Sequence, residues 1–380
     1  MIVLTRTRLI SPSKLYWASI CPLRYMLETE RKGDSSVPAP PVAAIGTAVH
    51  SLIEGLTPVG LDGQELKRAI AFKVGVELKR AANRNQVLQY LLQRFGEGSV
   101  FTNNQLLSSI RLVRKAQFAL GTQARAVKPT PVPIVSSKSE AESEVFSDRY
   151  GIQGSIDRVT YYSDGTVEID DFKTGRVLDE DGALKPQYFY QMCCYGLLVQ
   201  ESRQVSEIQL RVIGPNDDWQ SNFTSNMQST VQSVLQEIKK ILPLDTPIKA
   251  ASLARPGSHC TSCSQRANCD IFADSIWSDG YNFDVGGRLC DVSGVIDRIE
   301  ELGQGLACMI LRTSSGRFCK ISNIPLPMIG ESLAVNDDVI CYSALNITST
   351  VPSGGPSNLE VVNLNEPGRS GFGFFIRHHT

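Results

Sequence analysis

Over the first third of the chain, apolar residues recur every three or four positions. The first such run, SPSKLYWASICPLRYMLETER from residue 11, predicts a helix with Ser11 or Ser13 as N-cap and Pro12 in the first turn. After the linker KGDSSVPAPP, AAIGTAVHSLIEGL predicts a second helix, and two long polar-basic helices are expected within residues 63 to 95 and 104 to 126. From Ala141 the period shortens to two. SEVFSDRYGIQGSIDRVTYYSDGTVEIDDFKTG alternates apolar with polar residues and turns at Ser163-Asp164-Gly165, as strands do. PQYFYQMCCYGLLVQ then reads as a helix, SEIQLRVI as a strand and SNMQSTVQSVLQEIKKIL as a closing helix. The order β-β-β-α-β-α predicts an α/β domain built on a mixed sheet flanked by helices. After about residue 282, short strands punctuated by Gly, Asn-Asp and Ser-Gly predict a small β-barrel, and the tail EPGRSGFGFFIRHHT is too Gly-rich to assign.

At 380 residues with 42% hydrophobic and 20% charged, the chain has material for about two or three domains and is no disordered polyelectrolyte. There is no run of about 18 apolar residues, and Arg6 and Arg8 interrupt the start, so neither a membrane span nor a secretory signal is expected and the protein reads as cytoplasmic. Ten cysteines in that setting are expected as reduced thiols, some of them metal ligands. The net charge of -1 argues against a nucleic-acid partner only if charge is evenly spread. It is not: residues 67 to 128 carry 12 Lys and Arg, among them Arg111, Arg114, Lys115, Arg125 and Lys128, against Glu77 and Glu97. Two successive helices with this bias predict a positive wall over a nucleic-acid channel, contacting phosphates without reading sequence.

The densest chemistry lies in Gly154-Ser155-Ile156-Asp157-Arg158 and in Asp170-Asp171-Phe172-Lys173-Thr174-Gly175. Strand alternation puts Asp171 and Lys173 on one face and Asp170 and Phe172 on the other, and the turn between strands can bring Asp157 beside Asp171. Two such carboxylates suit a hard divalent cation, Mg²⁺ or Mn²⁺, with Lys173 placed to orient water or to stabilise developing negative charge. Gln191 and Tyr195 are an i, i+4 pair able to reach back to the sheet, and His50 is the only histidine before residue 259. Separately, Cys260, Cys263 and Cys269 form a C-x2-C-x5-C array that can wrap zinc or an iron–sulfur cluster, with Cys21 or His259 as the fourth ligand. The other six cysteines, Cys193, Cys194, Cys290, Cys308, Cys319 and Cys341, sit in apolar runs and are expected to be buried.

In this order, G-T-A-V-H, G-S-I-D-R, D-F-K-T-G and Q-M-C-C-Y resemble the RecB-type branch of the PD-(D/E)XK nuclease superfamily. The resemblance implies a restriction-endonuclease-like nuclease domain over residues 1–280 with a basic helical insertion at about 60–130. It further implies His50, Asp157, Asp171 and the carbonyl of Phe172 as metal ligands, Lys173 as the catalytic lysine, and Gln191 with Tyr195 as a supporting motif. S-K-L-Y-W-A-S-I-C-P-L-R-Y together with the late cysteine triplet is similar to iron–sulfur members of this branch, CRISPR-associated RecB-like exonucleases and the AddB nuclease domain. In those, four cysteines hold a [4Fe–4S] cluster, which implies Cys21, Cys260, Cys263 and Cys269 as its ligands here. Residues 281–380 resemble an OB-fold. The function so implied is a metal-dependent deoxyribonuclease acting on single strands or DNA ends, in repair, recombination or anti-phage defence. The alternative is a non-catalytic iron–sulfur DNA-binding subunit of a helicase–nuclease complex. No G-x-x-x-x-G-K-[ST] loop is present, so a helicase partner would be separately encoded.

Overall fold

A computed structural model describes residues 2–3, 9–30, 37–55, 61–125, 137–203, 205, 207–242, 247–279, 281–282, 289–330, 333–346 and 357–379. Lys128 and residues 32–36 of the expected 32–41 linker lie outside these. In chain order the first elements are β1 (Ile2–Val3), α1 (Pro12–Ile20), α2 (Pro22–Glu30), α3 (Pro41–Glu54), α4 (Gly63–Ala82), α5 (Gln86–Phe95) and α6 (Asn103–Arg125). Next come β2 (Ser137–Ser147), β3 (Ile152–Tyr162), β4 (Thr166–Phe172), α7 (Pro186–Ser202), β5 (Glu207–Ile213), β6 (Asp218–Asn222), α8 (Ser225–Ile241), β7 (Pro247–Ile248), α9 (Ala250–Leu253) and α10 (Asp270–Asp279). The remaining strands are β8 (Tyr281–Asn282), β9 (Leu289–Gly303), β10 (Leu306–Arg312), β11 (Phe318–Pro325), β12 (Asp338–Asn346), β13 (Ser357–Glu360) and β14 (Phe375–His378). Among the described residues no helix is long and apolar enough to cross a membrane.

Two of the expected helices are each divided in two. The run from residue 11 breaks at Cys21, whose backbone is extended, because Pro22 disfavours helical geometry in the residue before it. The run from residue 63 breaks at Asn85, whose side chain accepts from the Leu88 amide at 3.0 Å and so caps α5.

The chain forms two compact units, each discontinuous in sequence: residues 1–26, 46–73 and 103–255, and residues 27–45, 74–102 and 256–380. The first holds a five-stranded sheet in the order β2-β3-β4-β5-β6, with β4 and β5 parallel and the other pairs antiparallel. The parallel pair is joined through α7, which Pro186 opens, and every residue from Gln191 to Val199 is buried. Asp164 accepts from the Thr166 amide at 2.9 Å in the β3–β4 turn, and Gly165 there takes a φ of 86°. The antiparallel register sets Arg158 opposite Asp170, and therefore Asp157 opposite Asp171 one step along.

In the second unit, β9, β10, β11, β13 and β12 are neighbours in that order, and β12 also pairs with β9, so the five strands form a closed circuit of hydrogen-bonded neighbours. Only β11 and β13 run parallel. The circuit encloses Val292, Ile296, Met309, Leu311, Ile321, Val339 and Phe374, and Val87 and Leu91 of α5 join the same core. The Gly-rich tail contributes β14, paired with β12. Arg266 and Asp291 form a buried ion pair, reinforced by a hydrogen bond from Arg266 to Ser343. Cys193, Cys194, Cys290, Cys308, Cys319 and Cys341 are all buried, and burial pushes the Cys193 and Cys319 thiols up to about 12, so they are inert apolar packing.

Candidate active site

The site grows out of β3 and β4 where α7 crosses them. Asp171 is buried on the face that α7 covers: Gln191 Nε2 donates to its Oδ1 at 3.0 Å, and Lys173 Nζ lies 2.7 Å from its Oδ2. Gln191 Nε2 also reaches the Tyr195 hydroxyl at 3.2 Å, and that hydroxyl donates to the Ser155 carbonyl at 2.7 Å. The i, i+4 pair therefore fixes both strands, one through a carboxylate and the other through the main chain. Asp157 accepts from the Phe172 amide at 2.7 Å, and His50 Nδ1 on α3 stands 3.6 Å from the same Asp157 oxygen. Gly154 permits this closeness: a Cβ there would lie 2.8 Å from Pro12 and 3.2 Å from the Tyr195 ring.

Asp170 lies on the other face. It is buried and bonded to the Arg158 guanidinium, with Arg211 Nε at 3.5 Å. The neighbouring acids thus have separate tasks: Asp170 neutralises Arg158, while Asp171 meets Lys173. Phe172, also facing away from Asp171, is buried with the Arg158 guanidinium 5.5 Å from its ring.

The electrostatics are those of a crowded anionic pocket. Burial and then the neighbouring Asp171 charge push the Asp157 carboxyl up to about 7. Burial, followed by the Lys173 charge, holds the His50 imidazole below its ordinary value, leaving it neutral with a lone pair to offer. Burial alone would disfavour the Lys173 ammonium, but the charge and hydrogen bond of Asp171, with Asp157 and Tyr188, together offset it and the lysine is held above its ordinary value, so it is a cation and not a base.

Among the described residues, no three His, Cys, Asp or Glu side chains converge as a metal-binding group. At the sheet, Lys173 holds one oxygen of Asp171 and the Phe172 amide holds one of Asp157. The donor set still fits a hard divalent cation: two carboxylates, one driven towards protonation by the other's charge, with a neutral imidazole beside them. Of the four cysteines expected as a clip, three lie in the second unit and Cys21 in the first. Cys260, Cys263 and Cys269 lie in and after two one-turn 3₁₀ helices, Ser258–Ser262 and Arg266–Asn268, with Cys263 buried and Cys260 and Cys269 packed on the apolar cluster around Phe272. Cys21 is buried at the α1–α2 break.

Three residues of the site were not anticipated. Glu54 stands one helical turn beyond His50 and shares a hydrogen bond with Glu142 of β2; partial desolvation first, then that bond and the Glu142 charge, hold the Glu54 carboxyl above its ordinary value. The i, i+4 spacing of His50 and Glu54 was the available signal; Glu142, at a φ of 48°, gave none. Tyr188, three residues before Gln191, sets its ring 5.2 Å from Lys173 Nζ. The basic helix α6 also departs from expectation. Its Lys115 binds Asp218 and the Gly214 carbonyl beside β6, on the sheet face opposite Asp171, so it forms no wall over that carboxylate. The side chain of Arg125 lies outside the described residues.

No curated protein matches the chain. A similar solved structure, SSO0001, shares 14% identity over 70% of this chain and 88% of that chain, with a TM-score of 0.32. A profile of the PD-(D/E)XK nuclease superfamily matches residues 9–270, a span that includes His50, both carboxylate strands and α7, and the mixed α/β architecture is consistent with a restriction-endonuclease-like fold. The chain belongs to the PD-(D/E)XK nuclease superfamily, whose members hydrolyse phosphodiesters.

Proposed function

We propose that this chain is a metal-dependent deoxyribonuclease of the RecB-type branch, acting on single strands or frayed DNA ends. The observation that carries the reading is the Asp171–Lys173 pair held by Gln191 beside Asp157 and His50. His50, Asp157, Asp171 and the Phe172 carbonyl would hold Mg²⁺ or Mn²⁺. When bound, that ion lowers the pKa of water and offsets phosphate charge. Lys173, kept cationic by Asp171, faces the developing negative charge of the phosphodiester, and the buried Gln191 fixes the Asp171 rotamer. Tyr195 anchors β3 through Ser155 and so keeps Asp157 in register with Asp171.

Residues 1–280 constitute the nuclease domain in this reading and residues 281–380 an OB-like barrel, a view supported by the closed strand circuit and the single parallel β11–β13 pair. The [4Fe–4S] staple of Cys21, Cys260, Cys263 and Cys269 rests on spacing and resemblance alone; iron and acid-labile sulfide analysis of anaerobically purified protein decides it. The setting is cytoplasmic DNA repair, recombination or anti-phage defence, beside a separately encoded helicase.

The substrate class is tested with end-labelled single-stranded DNA, blunt duplex, frayed duplex and RNA, each incubated with Mg²⁺, Mn²⁺ or EDTA. Metal-dependent loss of single-stranded and frayed DNA is expected. Preference for blunt duplex or RNA contradicts the substrate assignment. DNA binding without cleavage in either metal establishes the non-catalytic subunit instead.

A further inference from the structure

On the sheet face opposite Asp171, between α6 and strands β3, β4 and β5, the structure holds a cavity of about 760 Å³. That volume is within the range of about 300–1,000 Å³ usual for small-ligand sites. Strand alternation separates it from the catalytic chemistry, since Glu168 and Arg211 line it while Asp171 points the other way. Its walls carry two kinds of group. Tyr162 and Phe118 supply aromatic surface, and Phe118 is 73% exposed, so a ligand entering the cavity can reach its ring.

The cations at the wall fall into two classes. Lys115 is neutralised by Asp218 at 2.8 Å, and Arg211 by Glu168 at 2.9 Å. Arg111 and Arg114, one helical turn apart on α6, meet neutral acceptors among the described residues: Nη1 of Arg111 donates to Asn216 at 2.7 Å and Nη1 of Arg114 to Gln117 at 2.9 Å. Two guanidinium charges with no carboxylate partner among the described residues, at the mouth of a cavity with aromatic walls, call for a ligand that is both planar and anionic. A nucleoside phosphate has both properties: a base to stack against Tyr162 or Phe118, and a phosphate to accept from a guanidinium fork.

We infer that this cavity is a binding site for a nucleoside 5′-phosphate unit, distinct from the catalytic centre. The unit is either a free nucleotide or the terminal unit of a strand, and both present the same chemistry to Arg111 and Arg114. The inference does not depend on the cleavage reading, because it concerns binding at the opposite face.

The test is equilibrium dialysis of the full chain in EDTA with radiolabelled AMP, and in parallel with a 5′-phosphorylated oligothymidylate. Three proteins are compared: wild type, the double variant Arg111→Glu/Arg114→Glu, and Lys173→Ala. One AMP or one strand terminus per chain is expected. Binding should weaken at least tenfold in the double variant, about 1.4 kcal/mol, and change less than about twofold in Lys173→Ala. AMP retention identifies the free nucleotide as ligand, and oligonucleotide retention without AMP identifies the strand. Arg111 and Arg114 are exposed, so a circular dichroism melt should show the double variant folded; if it is not, Phe118→Ala takes its place with the same expected loss. No retention of either ligand at about 1 mM, or equal retention by wild type and a folded cavity variant, overturns the inference. So does loss of binding in Lys173→Ala alone.

Discussion

Replacing Asp157 with Asn should stabilise the metal-free protein. In the folded chain the Asp157 carboxyl is pushed up to about 7 from an ordinary 3.8, so folding opposes its ionisation. At about 1.4 kcal/mol per unit, ionised Asp157 costs about 4 kcal/mol at pH 8. With 22% of the side chain still meeting water, about 2–4 kcal/mol is the expected range. The sign follows from linkage. A carboxyl that holds its proton more tightly when folded contributes stability below its ordinary value, and that contribution is lost as pH rises from about 4 through about 7. Asn cannot ionise but still accepts from the Phe172 amide, as Asp157 does at 2.7 Å, so the change removes the charge and keeps the hydrogen bond. Urea unfolding in EDTA at pH 5 and pH 8 is the assay. Asp157→Asn should exceed wild type by about 2–4 kcal/mol at pH 8 and by about 1–2 kcal/mol at pH 5. Adding Mn²⁺ at pH 8 should then raise wild type and leave the variant nearly unchanged. If the two proteins show the same pH dependence, the carboxylate crowding inferred from the geometry is absent.

Three further substitutions probe how the site is held. Arg158→Met leaves Asp170 buried with only the more distant Arg211, and should cost about 3–5 kcal/mol in urea unfolding. Gln191→Ala removes the donor that sets Asp171, and should lower kcat of cleavage by about 10- to 100-fold with KM changed far less, as loss of a hydrogen bond to a ligand-bearing carboxylate does. Gly154→Ala places a methyl 2.8 Å from Pro12 and should cost about 1–3 kcal/mol, seen as a lower melting temperature.

The features legible in the sequence are those set by local periodicity. Alternation alone separated Asp170 from Asp171, and the structure adds the partners, Arg158 for one and Lys173 for the other. The spacing of Gln191 and Tyr195 announced a shared helical face, and their hydrogen bonds run from that face to Asp171 and Ser155. What periodicity could not convey is which face of a sheet a distant helix covers. The charge of α6 was plain, but its place opposite Asp171 is set by its packing and by Lys115 reaching Asp218. Glu142 and β6 were missed for the same reason, since their roles come from neighbours far along the chain. The cysteine triplet shows the converse limit: ligand spacing was clear, yet spacing alone conveys neither the fourth ligand nor the group held, and no metal-binding group is found among the described residues.

The central claim is that Asp171 and Lys173 act together in metal-dependent phosphodiester hydrolysis. Its most direct measurement is the single-turnover rate of cleavage of an end-labelled oligodeoxynucleotide in Mg²⁺ or Mn²⁺ by wild type, Asp171→Asn and Lys173→Ala. Wild type should cleave only with metal, and each variant should lose at least about 100-fold in rate, the scale on which removal of one stabilising group acts. Variants that cleave as fast as wild type, or cleavage undiminished in EDTA, would contradict the account.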